Sequence, residues 1–287
     1  MLAAAIRPLT IVTVSQMCAL MCIVGTSAAR AQDASAWDKE IHAETRLIAG
    51  SLIKTSDATF LRAGIEIRLD PGWKTYWRQP GDSGVPPSFD FAGSENIDSV
   101  NVLWPAPERF PDGAGGNSIG YVGRIVLPLR IAPKDAAKQS TLHLKLGYAI
   151  CGNLCVPAEA TLELTLTGNG AEEAAIEKAD MRVPRRVTLG AGQNLAIRSV
   201  HREPGGEHER VTVEAAAPKG APLDLFVEGP TSDWALPLPE QVGTTGELRR
   251  FTFDLDGLPP GAHAEGATLT FTAVSGDDAI EVPVHLD

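Results

Sequence analysis

Thr59-Phe60-Leu61-Arg62-Ala63-Gly64-Ile65-Glu66-Ile67-Arg68-Leu69 alternates apolar with polar residues and sets Ile65, Ile67 and Leu69 on one face. A two-residue period over such a length is the pattern of a half-buried antiparallel strand. The same period runs through Ile41–Ile48, Ile125–Ile131 and Thr141–Leu146, and Thr161, Glu163 and Thr165 oppose Leu162, Leu164 and Leu166. Between these segments lie two long turn-rich stretches. One is Pro80-Gly81-Asp82-Ser83-Gly84-Val85-Pro86-Pro87, and the other is Pro111-Asp112-Gly113-Ala114-Gly115-Gly116-Asn117. Regular short strands without helices between them predict a β-sandwich.

The one helical stretch, Ala171–Ala179, is rich in Ala and Glu and lies between Gly168-Asn169-Gly170 and Val183-Pro184-Arg185-Arg186. It reads as part of a linker over residues 169–186, after a first sandwich at 36–168. Strand patterns resume at Leu195–Val200, Arg210–Ala215, Leu223–Val227, Arg249–Leu255, Ala267–Val274 and Ala279–Val284. They suffice for a second sandwich at 187–287, of the usual size of about 100 residues. It holds no cysteine. His201, His208, His263 and His285 are scattered through it and read as surface or hydrogen-bonded residues.

The first 31 residues have the order of a cleavable secretory signal. Arg7 precedes an apolar run from Ile11 to Val24, and small residues end at Ala29-Arg30-Ala31. The run is short for a bilayer span, and no later stretch approaches one. The formal net charge is −11, and losing Arg7 and Arg30 makes the mature chain more acidic. That balance argues against nucleic acid and anionic membrane surfaces as partners. The expected location is the periplasm, where thiols form disulfides.

Of four cysteines, Cys18 and Cys22 fall in the signal, leaving Cys151-Gly152-Asn153-Leu154-Cys155. A staple closing about five residues gains roughly 2 kcal/mol, against about 4.7 for about 100 residues. If Gly152-Asn153-Leu154 closes a hairpin, the two cysteines oppose each other at a spacing a disulfide tolerates. Three readings stay open on these residues: a pair for electron transfer, an inert staple, or two thiolates for Cu(I).

The stretch from Pro71 to Pro157 resembles a known family. Gly72-Trp73-Lys74-Thr75-Tyr76-Trp77-Arg78-Gln79-Pro80-Gly81-Asp82-Ser83-Gly84 opens the resemblance. Trp104-Pro105-Ala106-Pro107, Pro111-Asp112-Gly113 and Gly120-Tyr121 continue it in order, and Tyr148-Ala149-Ile150-Cys151 with Cys155-Val156-Pro157 completes it. Together they are similar to the N-terminal periplasmic domain of DsbD-type disulfide reductases, and most to the copper-sensitivity suppressor branch, ScsB. The resemblance implies an all-β protein with two immunoglobulin-like sandwiches and a redox pair at Cys151 and Cys155. Its chemistry is thiol–disulfide exchange without metal or organic cofactor. The implied partners are thioredoxin-like periplasmic proteins and a separate membrane disulfide reductase, in copper tolerance or cytochrome c biogenesis. Family domains shield the pair with a cap loop bearing an aromatic residue. Phe110–Asn117 occupies the matching region, and Phe110 or Tyr121 is the candidate shield, with sandwich core the alternative for both. Trp73, Tyr76 and Trp77 read as core or loop-anchoring residues. Two departures stand out: three residues separate the cysteines where the best-known members have five, and the chain carries no C-x-x-C motif.

Overall fold

The structure is a computed structural model that describes residues 33–203 and 208–287; the expected signal, 1–31, lies outside them. It is all-β apart from one short helix. The first sheet runs β1 (Asp38–Glu40), β2 (Ala43–Lys54), β3 (Thr59–Leu69), β9 (Arg124–Pro133) and β6 (Ile97–Val102). The second runs β11 (Cys155–Leu166), β10 (Ser140–Cys151), β4 (Lys74–Gly81), β8 (Asn117–Val122) and β7 (Glu108–Pro111), with β5 (Ser88–Asp90) also on β10. Their inward faces close one core, in which Leu47, Ile65, Trp77, Ile119, Leu129, Leu142 and Leu144 are almost wholly buried. The alternation over 59–69 is what puts Ile65 and Ile67 into that core while Arg68 stays outside.

After these strands, α1 (Glu173–Asp180) lies on the outer face of the first sheet. Ile176 and Ala179, three residues apart and so on one helix face, pack with Ile48 and Val126. Around that contact charges meet in pairs: Arg62 with Glu173 and Asp180, and Arg46 with Glu172.

Two further sheets follow. One is β12 (Arg185–Arg186), β19 (Asp278–His285), β18 (Thr268–Ser275) and β15 (Asp224–Glu228). The other is β13 (Ala196–Glu203), β14 (Arg210–Ala216), β17 (Leu248–Asp254) and β16 (Glu240–Thr245). They share a second core built on Ile197, Val213, Leu225, Phe251, Phe271 and Val282. His201, His208, His263 and His285 are all exposed.

The strand β15 serves both cores. Leu225 and Val227 belong to the second core, whereas Phe226 is buried with the first. A strand turns alternate side chains to opposite faces, so Asp224, Phe226 and Glu228 all look toward the first sandwich.

Candidate functional site

The hairpin of β10 and β11 carries its register without a break from Ser140↔Leu166 to Cys151↔Cys155. Gly152-Asn153-Leu154 is its loop, closed by Gly152 N–H donating to the Leu154 carbonyl at 3.1 Å. Cys151 and Cys155 are joined by a disulfide at the end of the ladder, their Cα atoms 4.1 Å apart. The two cysteines are not equivalent to a visitor, because Cys151 is a buried residue and Cys155 an exposed one. Behind the loop stands Trp73, which would sit 3.1 Å from a Cβ placed at Gly152, a tight contact. Trp73 in turn stacks on His42 with ring centroids 3.9 Å apart.

Next to Cys151 in the sheet is β4. Ile150 pairs with Thr75 and Cys151 with Lys74. The Thr75 hydroxyl donates to the Ala149 carbonyl at 2.9 Å, tying the strands just before the disulfide. One residue on, Tyr76 brings its hydroxyl to 3.0 Å from Cys151 Sγ and 3.2 Å from Cys155 Sγ. A disulfide sulfur carries no proton, so the phenol is the donor. Burial pushes the Tyr76 phenol above its ordinary 10.0 despite a hydrogen bond to Ser118 that acts the other way, and the Asp112 charge adds to the rise. The hydroxyl therefore keeps its proton through the physiological range.

A cavity of ≈ 370 Å³ opens over the sulfurs, lined among others by Tyr76, Val85, Phe110, Cys151 and Cys155. Phe110 is half-buried on its wall, with Lys74 Nζ 4.2 Å from the ring centre. Lys74 also donates to the Pro111 carbonyl at 3.1 Å. Tyr121 lies elsewhere: it is buried in the first core, and its hydroxyl donates to the Pro105 carbonyl at 2.8 Å.

Two loops roof this cavity together. In one, Asp112 accepts from Ala114 N–H at 2.8 Å and Gly116 N–H at 3.0 Å. The bond from Ala114 is the largest influence holding its carboxyl below the usual aspartate range. In the other, Ser83 donates to Asp112 at 3.1 Å, and Asp82 accepts from Asn117 N–H at 2.8 Å. Gly84 lies flat on the Tyr76 ring at a φ of +129°, a conformation that suits glycine, and any Cβ there would overlap the ring.

Of the aromatic residues read as core or anchors, Trp77 is in the core and Trp73 backs the hairpin loop. Tyr76 does more, since its hydroxyl meets both sulfurs. Sequence alone hid this, because the contacts span 75 and 79 residues. The only signal in the sequence was that Tyr76 lies within Gly72–Gly84, the stretch that opens the family resemblance. Among the described residues no group of three or more His, Cys, Asp or Glu is arranged to hold a metal ion.

Residues 49–167, which contain both cysteines and every residue of the cavity, match the family "Thiol:disulfide interchange protein DsbD, N-terminal". No curated protein matches the sequence. The fold is similar to the crystal structure of the N-terminal periplasmic domain of ScsB from Proteus mirabilis, with a TM-score of 0.68 and 23% identity. That likeness covers 88% of this chain and 98% of the other, so both sandwiches take part in it. At this identity it is a likeness of fold.

Proposed function

We propose that this protein is a periplasmic thiol–disulfide exchange protein that passes electrons to or from thioredoxin-like partners through Cys151 and Cys155. The observation that carries the reading is a disulfide between one exposed and one buried cysteine under a donating tyrosine hydroxyl. A partner thiolate attacks Cys155 Sγ and forms a mixed disulfide. The Cys151–Cys155 bond breaks, and Cys151 leaves with the electron pair as a thiolate. Tyr76 O–H donates to that thiolate, which is a charge-assisted bond. The partner's second thiol then attacks its own sulfur of the mixed disulfide and frees Cys155. Two electrons and two protons have moved from the partner dithiol to this pair. In the opposite direction Cys155 is the nucleophile and Cys151 resolves.

The surroundings suit docking of a protein. Lys74 pairs with Val122 as well as with Cys151, so Val122, Lys74, Cys151 and Cys155 form one row across the sheet. Val122, Val85 and Leu154 are exposed large apolar side chains, the kind of surface that marks a contact site. The membrane disulfide reductase, copper tolerance and cytochrome c biogenesis are carried by the family resemblance. No helix among the described residues is long and apolar enough to cross a membrane.

The experiment is a trap in periplasmic extract. Cys151→Ser keeps the exposed sulfur and should accumulate mixed disulfides on a non-reducing gel. Cys155→Ser keeps only the buried one and should accumulate far less. Equal capture by both would remove the assignment of roles, and capture by neither would leave the staple reading in its place.

We also propose that 36–168 and 187–287 are two domains joined by 169–186, supported by a second core that is distinct from the first although Phe226 and Leu238 reach into the first. Limited proteolysis should give two fragments divided in or near 169–186. A single resistant fragment spanning both would contradict it.

A further inference from the structure

The strand that carries Tyr76 has an unusual support. The ladder of β4 with β8 holds from Lys74 to Tyr76, breaks, and resumes only at Gly81. Its ladder with β10 stops at Thr75. Residues 77–80 therefore follow Tyr76 through an irregular stretch of β4 that has no register partner on β8 or β10. Besides the first core, in which Trp77 is buried, the second sandwich grips them. The Arg78 guanidinium takes Glu228 with both carboxylate oxygens, at 2.8 and 2.7 Å, and Glu281 at 2.7 Å. Trp77, wholly buried, lies against Phe226 with ring centroids 5.9 Å apart.

The other half of the roof is held in the same way. Phe110 opens its loop, and Arg109 precedes it. Arg109 pairs with Asp224 at 2.8 Å and donates to the Leu225 and Pro239 carbonyls at 3.0 and 3.3 Å. Both loops over the sulfurs thus spring from strands anchored by arginines, and the outward residues Asp224, Phe226 and Glu228 of β15 supply most of the anchorage.

We infer that the second sandwich is a positioning element for the disulfide: through Arg78, Trp77 and Arg109 it holds Tyr76 and the two roofing loops over the sulfurs. Arg78, Arg109 and Phe226 touch neither sulfur, so they are positioning residues. The side chains of these pairs are mostly shielded from solvent, and a bidentate arginine fork fixes direction as well as distance. Loosening this interface lets 77–80 drift, and with it the cover over buried Cys151. The inference builds on the exchange reading for its purpose, but its geometry can be tested without it.

The test uses the full chain, reduced with a phosphine so that the outcome does not depend on any physiological reductant. Limiting iodoacetamide is added and the label at Cys151 and Cys155 is compared by peptide mass. Wild type should label chiefly at Cys155. Arg78→Met, Arg109→Met and Phe226→Ala should each raise the Cys151 to Cys155 ratio about fivefold or more, the range of an ordinary site-to-site coupling. Arg78→Lys should return part of the way. Arg210→Met, which removes an exposed pair with Asp254 in the same sandwich, should leave the ratio at the wild-type value. If a truncating variant fails to fold, Glu228→Gln, which keeps shape and removes only charge, decides alone. An unmoved ratio in the folded interface variants overturns the inference. Failure of the wild-type pair to exchange with a dithiol sinks the exchange reading instead, and leaves this ratio as it was.

Discussion

Replacing Tyr76 by Phe should slow reduction of the Cys151–Cys155 disulfide by a dithiol about tenfold or more while leaving the fold intact. The ring packs under Gly84 and stays; only the hydroxyl 3.0 Å from Cys151 Sγ is lost. That hydroxyl has its largest value after the bond breaks, when the acceptor is a thiolate held away from water. Hydrogen bonds to charged groups are worth roughly 1.5–3 kcal/mol, which is about tenfold or more in rate if the bond is formed at the transition state. Stopped-flow reduction with dithiothreitol measures it. The gap between wild type and variant should persist as pH rises, because burial holds the phenol above its ordinary 10.0 and so keeps the donor proton in place. It should narrow only above that value. Equal rates at neutral pH would mean that the tyrosine is cover alone.

Replacing Glu66 by Gln should be among the most destabilising single changes in the first sandwich, at about 3 kcal/mol. The carboxylate is fully buried on β3, and three guanidinium groups converge on it: Arg46 at 2.7 Å, Arg124 at 2.7 Å and Arg68 at 3.1 Å. Removing its charge leaves Arg46, itself largely buried and also paired with Glu172 of the segment leading into α1, short of a counter-charge. Urea unfolding at neutral pH measures the loss. Burial by itself raises the Glu66 carboxyl, but the bonds and charges of Arg46 and Arg124 outweigh it, and the folded-state value lies below the ordinary 4.5. The stabilisation is therefore complete above the unfolded value and fades as pH falls through the depressed folded one. The Gln variant should lack that part of the acid dependence, and its unfolding free energy should converge on wild type in acid. A variant as stable as wild type at neutral pH would contradict this account of the cluster.

The regular strands were legible because their burial is regular. Thr59–Leu69 forms a strand with those same limits, and the alternation at 125–131 and 161–166 lies inside β9 and β11. The strand that matters most for the site was not. β4 buries Thr75, Tyr76 and Trp77 in succession, because the strand leaves its ladder after Tyr76 and turns consecutive side chains into different neighbours. No two-residue period survives there. β8, Asn117–Val122, was masked in the same way by the glycine-rich run before it. The cysteine motif and its hairpin could be read locally, since four residues separate the sulfurs. The roof could be read only in half. Phe110–Asn117 lines the cavity, but the partner loop at 80–87 is joined to it through Ser83, Asp112, Asp82 and Asn117, contacts across about 30 residues that no local pattern announces. The service of β15 to two cores was likewise invisible, for Asp224, Phe226 and Glu228 alternate as any strand does.

The measurement that bears most directly on the central claim is redox equilibration of the wild-type pair. The protein is incubated with a dithiol–disulfide couple poised near thioredoxin, about −270 mV, and the thiols are trapped by acid and counted by mass. Reversible exchange predicts a mixture of dithiol and disulfide forms at Cys151 and Cys155, reached from either starting state and shifting with the poise. A pair that stays fully oxidised from one side and never re-forms the same ratio from the other would contradict the account and make the disulfide a staple.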